Sequence, residues 1–242
     1  MFIGHFGVGF AGKRVEPPVS LGTLFLAAQF ADGLWPLLLL LGVEHVRIAP
    51  GIMKLSPFDF YDYPWSHSLV ALAGWGILVG LAYFALRRTL RGALVVAAGV
   101  LSHWFLDFLV HRPDMPVLPR GPYAGLGLWN SLPATVLLEA GLYGGGLALY
   151  VAGTRPRDRT GMWSLWTLVL LLFAIWVSTF FAPPPPGQVP VAITGIAMWL
   201  VIPWGYWIDR HRTSLRARAG SPPLGAPASD SAKGRGGPRS LA

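Results

Sequence analysis

His103, Asp107 and His111 stand four residues apart along an apolar stretch that begins at Arg91. Helical residues advance about 100° each, so the three side chains fall within about 80° of one another and form one stripe. A His-x3-Asp pair on one helical face offers a neutral imidazole and a carboxylate to a common centre, as hard-to-borderline divalent metals require. The same spacing also suits an isolated hydrogen-bonded pair between helices. Asp32, His67 and Glu139 are further ionisable residues in or beside apolar runs, and five of the six histidines precede residue 112. Near a bilayer centre such a residue costs about 2.5–3.5 kcal/mol, so it persists where it faces protein, water or a ligand.

The elements that carry these residues are apolar helices. The chain has 242 residues, 53% of them hydrophobic and 12% charged, with a mean hydropathy of +0.51. Soluble domains carry about a quarter charged residues, so an ordinary cytosolic enzyme and an acidic disordered protein are both excluded. The absence of cysteine excludes disulfides, thiolate metal sites and Cys nucleophiles. Runs of roughly 18 or more apolar residues read as transmembrane helices. Six qualify: Ser20–Gly42, His67–Leu86, Arg91–Val110, Pro133–Ala152, Met162–Ala182 and Val189–Ile208. The expected fold is all-α, a polytopic integral membrane helical bundle of about six transmembrane helices plus a short apolar N-terminal segment. Gly76 with Gly80, and Gly141 with Gly145, place small residues four apart where helices could approach closely.

Charge placement sets the expected sidedness. With both termini cytoplasmic, the inner segments hold Lys13, Arg14, Arg87, Arg88, Arg91, Arg155, Arg157 and Arg159 before the tail is counted, against Arg47, Lys54, Arg112 and Arg120 outside. The positive-inside rule favours that arrangement in a cell inner membrane. The net charge of +8 is therefore mainly a topology signal, and no nucleic-acid partner is expected, because no aromatic residue interleaves the arginines of the tail. Residues 1–212 read as the transmembrane domain. Residues 213–242, rich in Gly, Pro, Ser, Ala and Arg, read as a disordered basic cytoplasmic tail. Trp204, Tyr206 and Trp207 suit an interfacial belt. Met1–Gly12 is apolar but too short to span, and its basic pair follows it, unlike a signal peptide. An interfacial or re-entrant segment is the expectation, which matters because His5 lies inside it.

Each residue also has an alternative without chemistry. His67, in Pro64-Trp65-Ser66-His67-Ser68, could cap the second span with Ser66 as N-cap. Asp32 could bond to backbone freed by Pro36. Glu139 could stay protonated and bond across helices. Glu44 and His45 read as solvated, Asp59, Asp62 and Asp114 as loop charges, and His211 as having no acidic partner except Asp209.

Gly4-His5-Phe6, Ala31-Asp32, Ser66-His67-Ser68-Leu69 and His103-Trp104-Phe105-Leu106-Asp107 come in the order of the YdjM-like membrane-bound metal-dependent hydrolases, which residues 1–115 resemble. The resemblance implies that His5, Asp32, His67, His103 and Asp107 are metal ligands or their neighbours. Two departures are plain. The family's Pro-Asp-x-Asp acids are reduced to Asp32, followed by Gly33 and Leu34, and its His-Arg-Gly stretch is replaced by Asp62-Tyr63-Pro64-Trp65. One metal is therefore more economical than two.

Three functions fit. The first is an integral-membrane hydrolase in which a divalent metal, zinc the leading candidate, activates water against an ester or phosphoester of a lipid-like substrate, with Glu139 or His111 moving the proton. The second is a proton-coupled transporter that uses Asp32, His103, Asp107 and Glu139 as a relay, although no internal symmetry of the kind carriers show is visible. The third is a structural membrane protein whose polar residues only join helices.

Overall fold

A computed structural model describes residues 1–215. In chain order it contains α1 (Ile3–Val15), α2 (Leu21–Ala28), α3 (Phe30–Leu40), β1 (His45–Ile48), β2 (Phe58–Asp62), α4 (Pro64–His67), α5 (Leu69–Arg87), α6 (Leu90–Val110), β3 (Met115–Pro116), β4 (Tyr123–Ala124), α7 (Leu132–Gly153), β5 (Thr154–Pro156), α8 (Arg159–Thr179), α9 (Gln188–Ala197), α10 (Val201–Arg210) and β6 (Arg212–Ser214). The chain is a polytopic helical membrane bundle. Helices α5, α6, α7 and α8 are long and apolar enough to cross a membrane, as is the stretch from α9 through a 3-10 turn to the end of α10. The first expected span is broken: α2 and α3 meet at Gln29 with a bend of 57°. Pro36 lies inside α3, but the bend falls seven residues before it.

The N-terminal segment neither spans nor lies on the surface. Helix α1 is enclosed by α2, α6 and α7, with Ile3, His5, Phe6 and Phe10 all buried. Glycine makes this possible. A Cβ on Gly7 would collide with the backbone of Leu142 and Tyr143, and one on Gly146 with the backbone of Gly7, so α1 and α7 touch main chain to main chain. Phe6, Phe10 and Phe25 then interlock edge to face, with ring centroids 5.0–5.3 Å apart.

Of the two expected glycine pairs, one makes a helix contact. On α5, a Cβ at Gly76 would meet the Ala97 carbonyl at 2.9 Å, and one at Gly80 the Ala93 carbonyl at 3.1 Å. Gly141 and Gly145 have open space instead, and the small-residue contact of α7 is made by Gly146.

One end of the bundle is locked by charge. Lys13 Nζ pairs with Asp209 Oδ2 at 2.6 Å, the backbone N–H of Leu21 donates to the same oxygen, and Arg91 Nε pairs with Glu16 Oε2 at 2.7 Å. His211 pairs with Asp158 at 2.8 Å, not with Asp209. Strand β6 pairs antiparallel with β5, so Thr213 and Ser214, expected in the tail, are ordered partners of Arg155 and Thr154. The rest of the expected tail, from residue 216, lies outside the described residues. Tyr206 is less a free belt residue than a bonded one: its hydroxyl lies 2.8 Å from Thr23 Oγ1.

The α1–α7 contact predicts opposite signs at adjacent glycines. Gly146→Ala should destabilise the detergent-solubilised protein by about 1–3 kcal/mol through overpacking. Gly145→Ala, into open space, should be neutral or stabilising by up to about 1 kcal/mol. Thermal unfolding of the two variants checks this, and equal shifts would contradict it.

Candidate metal centre

Four elements bring the polar residues together. Helix α6 supplies His103 and Asp107 one turn apart, and its C-cap, His111, continues the stripe with its N–H bonded to the Asp107 carbonyl. The break between α2 and α3 places Asp32 in the first turn of α3. The single turn α4, started by Pro64, ends on His67, and buried α1 supplies His5. His5, His67, His103, Asp107 and His111 are all buried, while the Asp32 side chain is 37% exposed.

The spacings decide what this cluster can do. His103 Nε2 lies 3.3 Å from Asp107 Oδ2 and 3.6 Å from Asp32 Oδ1. His67 Nε2 lies 3.5 Å from Asp32 Oδ1 and 3.9 Å from Asp107 Oδ2. Bonds of about 2.0–2.1 Å to one tetrahedral zinc would separate ligand atoms by roughly 3.3 Å. Most of these distances exceed an ordinary hydrogen bond, which spans about 2.7–3.2 Å. Each of the two imidazole nitrogens thus faces two carboxylate oxygens at separations longer than a hydrogen bond. His103 Nε2 is buried with no hydrogen-bond partner. Two triads, His5–His103–Asp107, wholly buried, and Asp32–His67–His103, in which Asp32 is partly exposed, each bring their ligand atoms within 4.8 Å and could hold a metal ion. A nitrogen-and-oxygen donor set without thiolate fits zinc and other borderline divalent metals. Asp107 is also approached on Oδ1 by His5 Nε2 at 3.1 Å and by the α-amino group of Met1 at 2.5 Å.

Outer hydrogen bonds aim the imidazoles. His103 Nδ1 lies 2.9 Å from the Ala28 carbonyl, which can only accept, so this nitrogen carries a proton and Nε2 faces the acids. His67 Nδ1 lies 2.7 Å from Ser66 Oγ, whose hydroxyl donates to Glu44 Oε2 at 2.5 Å. Glu44 also accepts from the backbone N–H groups of Trp65 and Ser66. His111 Nδ1 lies 3.1 Å from Asp114 Oδ1, and its Nε2 is 3.8 Å from Asp107 Oδ2. Burial lowers the pKa of His111 despite Asp114, which keeps the ring neutral. Three histidines therefore repeat the pattern of metal ligands oriented by an acceptor on the far nitrogen.

Several expectations change here. Glu44 is fully buried, not solvated, and Asp114 is an orienting partner of His111, not a plain loop charge. Ser66 does not cap the second span. Helix α5 begins after Ser68, whose side chain accepts from the Ala71 N–H. The Asp32 carboxylate turns to His67 and His103, not to backbone freed by Pro36. Asp59 meets Arg112, and Asp62 meets His45 at 2.8 Å, both away from the centre. Glu139 borders the same chamber, of about 220 Å³, as Asp32, His67, Asp107 and His111, and accepts from the Phe2 N–H at 2.9 Å. Comparison with known proteins adds no relative: no protein-family model, curated protein or solved structure matches this chain.

The Glu44–Ser66–His67 chain predicts an indirect effect. Ser66→Ala should lower the affinity of the purified protein for zinc about 10–100-fold without abolishing binding, the usual cost of losing a partner behind a ligand. A zinc titration against a fluorescent chelator measures it, and unchanged affinity would remove Glu44 and Ser66 from the centre.

Proposed function

We propose that this membrane protein is a metal-dependent hydrolase that cleaves an ester or phosphoester of a lipid-like substrate. The observation that carries the proposal is that the Nε2 atoms of His67 and His103 each lie 3.3–3.9 Å from both Asp32 Oδ1 and Asp107 Oδ2. These four residues are the proposed ligands, with His5 beside them on Asp107. A bound cation of the zinc class supplies Lewis acidity and lowers the pKa of coordinated water towards neutrality.

The chain's own residues do the rest. Asp32 and Asp107 neutralise the cation's charge and, with the imidazoles, fix the reacting centre at the wall of the chamber. Glu139, which lines the same chamber and is held by the Phe2 N–H, is the proposed general base. His111 carries its proton on Nδ1 against Asp114, so its Nε2 is free to receive a proton and pass it to the leaving group. Trp35, Phe58, Phe60 and Trp129 surround the chamber and limit its access to water.

Two further supports lie in the sequence. The ordered motifs around His5, Asp32, His67 and His103 to Asp107 resemble those of the YdjM-like hydrolases, and the lone acid at Asp32 favours one metal. The excess of Lys and Arg at the end locked by Lys13 and Arg91 favours placing that end, and both termini, in the cytoplasm of a cell with this protein in its inner membrane. A transport relay is less well supported, because the titratable groups gather in one cluster around Asp107 while Phe6, Phe10, Phe25 and Leu165 fill the core beside it.

Detergent-purified protein should contain about one equivalent of zinc or a similar metal, by elemental mass spectrometry. The double variant His103→Ala with Asp107→Ala should lose it. Glu139→Gln should keep the metal and lower hydrolysis of a lipid ester or phosphoester about 10²–10⁴-fold, the usual range for general acid–base catalysis. Metal-free wild-type protein, or full metal content in the double variant, would overturn the proposal.

A further inference from the structure

Beside the polar chamber lies a second cavity of about 360 Å³, walled by α2, α3, α8, α9 and α10. Its lining is almost entirely apolar, Gln29, Asp32, Thr179 and Thr194 being its few polar residues. Leu37 and Trp199, 39% and 40% exposed, border it, so it opens on the lipid-facing side of the bundle. The two cavities share Phe2, Asp32, Trp35, Phe58 and Thr179 as common wall. Asp32, the most exposed of the proposed ligands, thus stands where the apolar space meets the polar one.

Two unpartnered polar atoms belong to residues lining the apolar cavity, and one of the two, on Trp35, also borders the polar chamber. Trp35 is 9% exposed, and its buried indole Nε1 has no hydrogen-bond partner. Gln29 Oε1 is likewise buried and unpartnered. A buried donor left unpaired costs about 1–3 kcal/mol, which a bound ligand would recover.

We propose that the apolar cavity holds one hydrocarbon chain of the substrate, which enters sideways from the bilayer. The Trp35 indole N–H then donates to an oxygen of the headgroup at the boundary. The substrate class is a membrane amphiphile whose polar head, with the scissile bond, occupies the chamber of Asp32, Asp107 and Glu139. The volume is at the small end of ligand sites, which span about 300–1,000 Å³, and suits one chain. A chain that leaves lipid for an apolar cavity gains little hydrophobic free energy, because both surroundings are apolar. Selection therefore falls on the headgroup contacts, Trp35 foremost. The fate of the headgroup rests on the hydrolase proposal, whereas chain occupancy does not.

Photo-crosslinking tests occupancy without any turnover. The probe is a lysophosphatidylcholine with a diazirine at the end of its one palmitoyl chain, mapped by peptide mass spectrometry on the full chain in detergent. Label should concentrate on cavity residues such as Phe30, Leu34 and Met198. It should fall at least about tenfold in Leu26→Trp and in Val191→Trp, which fill the space, but not in Ile193→Trp, whose residue is 60% exposed on α9 and outside the cavity. Trp35→Phe should raise the half-saturating probe concentration about three- to tenfold, the worth of one hydrogen bond. Label spread over the exposed faces of α5–α8 in wild-type protein would overturn the proposal, as would label undiminished in both filled variants. Metal content measured on the same samples separates the two proposals. Label without metal keeps the chain site and removes the hydrolase, and metal without label does the reverse.

Discussion

Two carboxylates set among imidazoles, Asp107 buried and Asp32 partly exposed, are the constraint around which this bundle is arranged. Asp107 is almost wholly enclosed, Asp32 stands beside it, and His5, His67, His103 and His111 converge on the pair. In apolar surroundings each charge costs several kcal/mol unless something opposite compensates it. The α-amino group of Met1 and the Nε2–H of His5 meet Asp107 Oδ1, whereas Asp107 Oδ2 and Asp32 Oδ1 must be compensated by the imidazoles they face or by a bound cation. The His/Asp triads could hold such a cation, and the outer partners of His67, His103 and His111 fix the orientation of the imidazoles.

The irregular parts of the fold follow from that requirement. A straight first span would carry Asp32 past the cluster at the wrong angle, whereas the break at Gln29 redirects α3 and leaves the Ala28 carbonyl free to hold His103. The short turn α4 serves His67 in the same way, with Glu44 pinning its N-terminal backbone and its serine together. Enclosing α1 brings in His5, which stacks on His103 with ring centroids 3.8 Å apart. The glycines of α1 and α7 are what allow the 13-residue α1 to pass inside the bundle in main-chain contact with α7.

Much of this was legible in the residues themselves. Length and hydropathy located every long helix, because lipid selects for apolar runs of fixed minimum length. The four-residue spacing along α6 placed His103, Asp107 and His111 on one face, since local helix geometry alone decides it. The partners beyond the helix were not legible. Glu44 looked solvated because it follows an apolar run, and only the return of the chain through β2 and α4 shows it covered by Trp65 and Ser66. The break at Gln29 carries no proline or glycine to announce it; it is a tertiary decision made by what α2 and α3 pack against. Gly141 and Gly145 had the spacing of a helix contact but face open space, because spacing does not say which side of a helix has a neighbour.

X-ray absorption at the zinc edge of protein loaded with one equivalent of zinc tests the central claim most directly. A first shell of nitrogen and oxygen near 2.0–2.1 Å, with the outer scattering of at least two imidazoles, is the expected spectrum. A shell without imidazole scattering, or zinc removed by a brief desalting step, would show that these side chains gather for some purpose other than holding a metal.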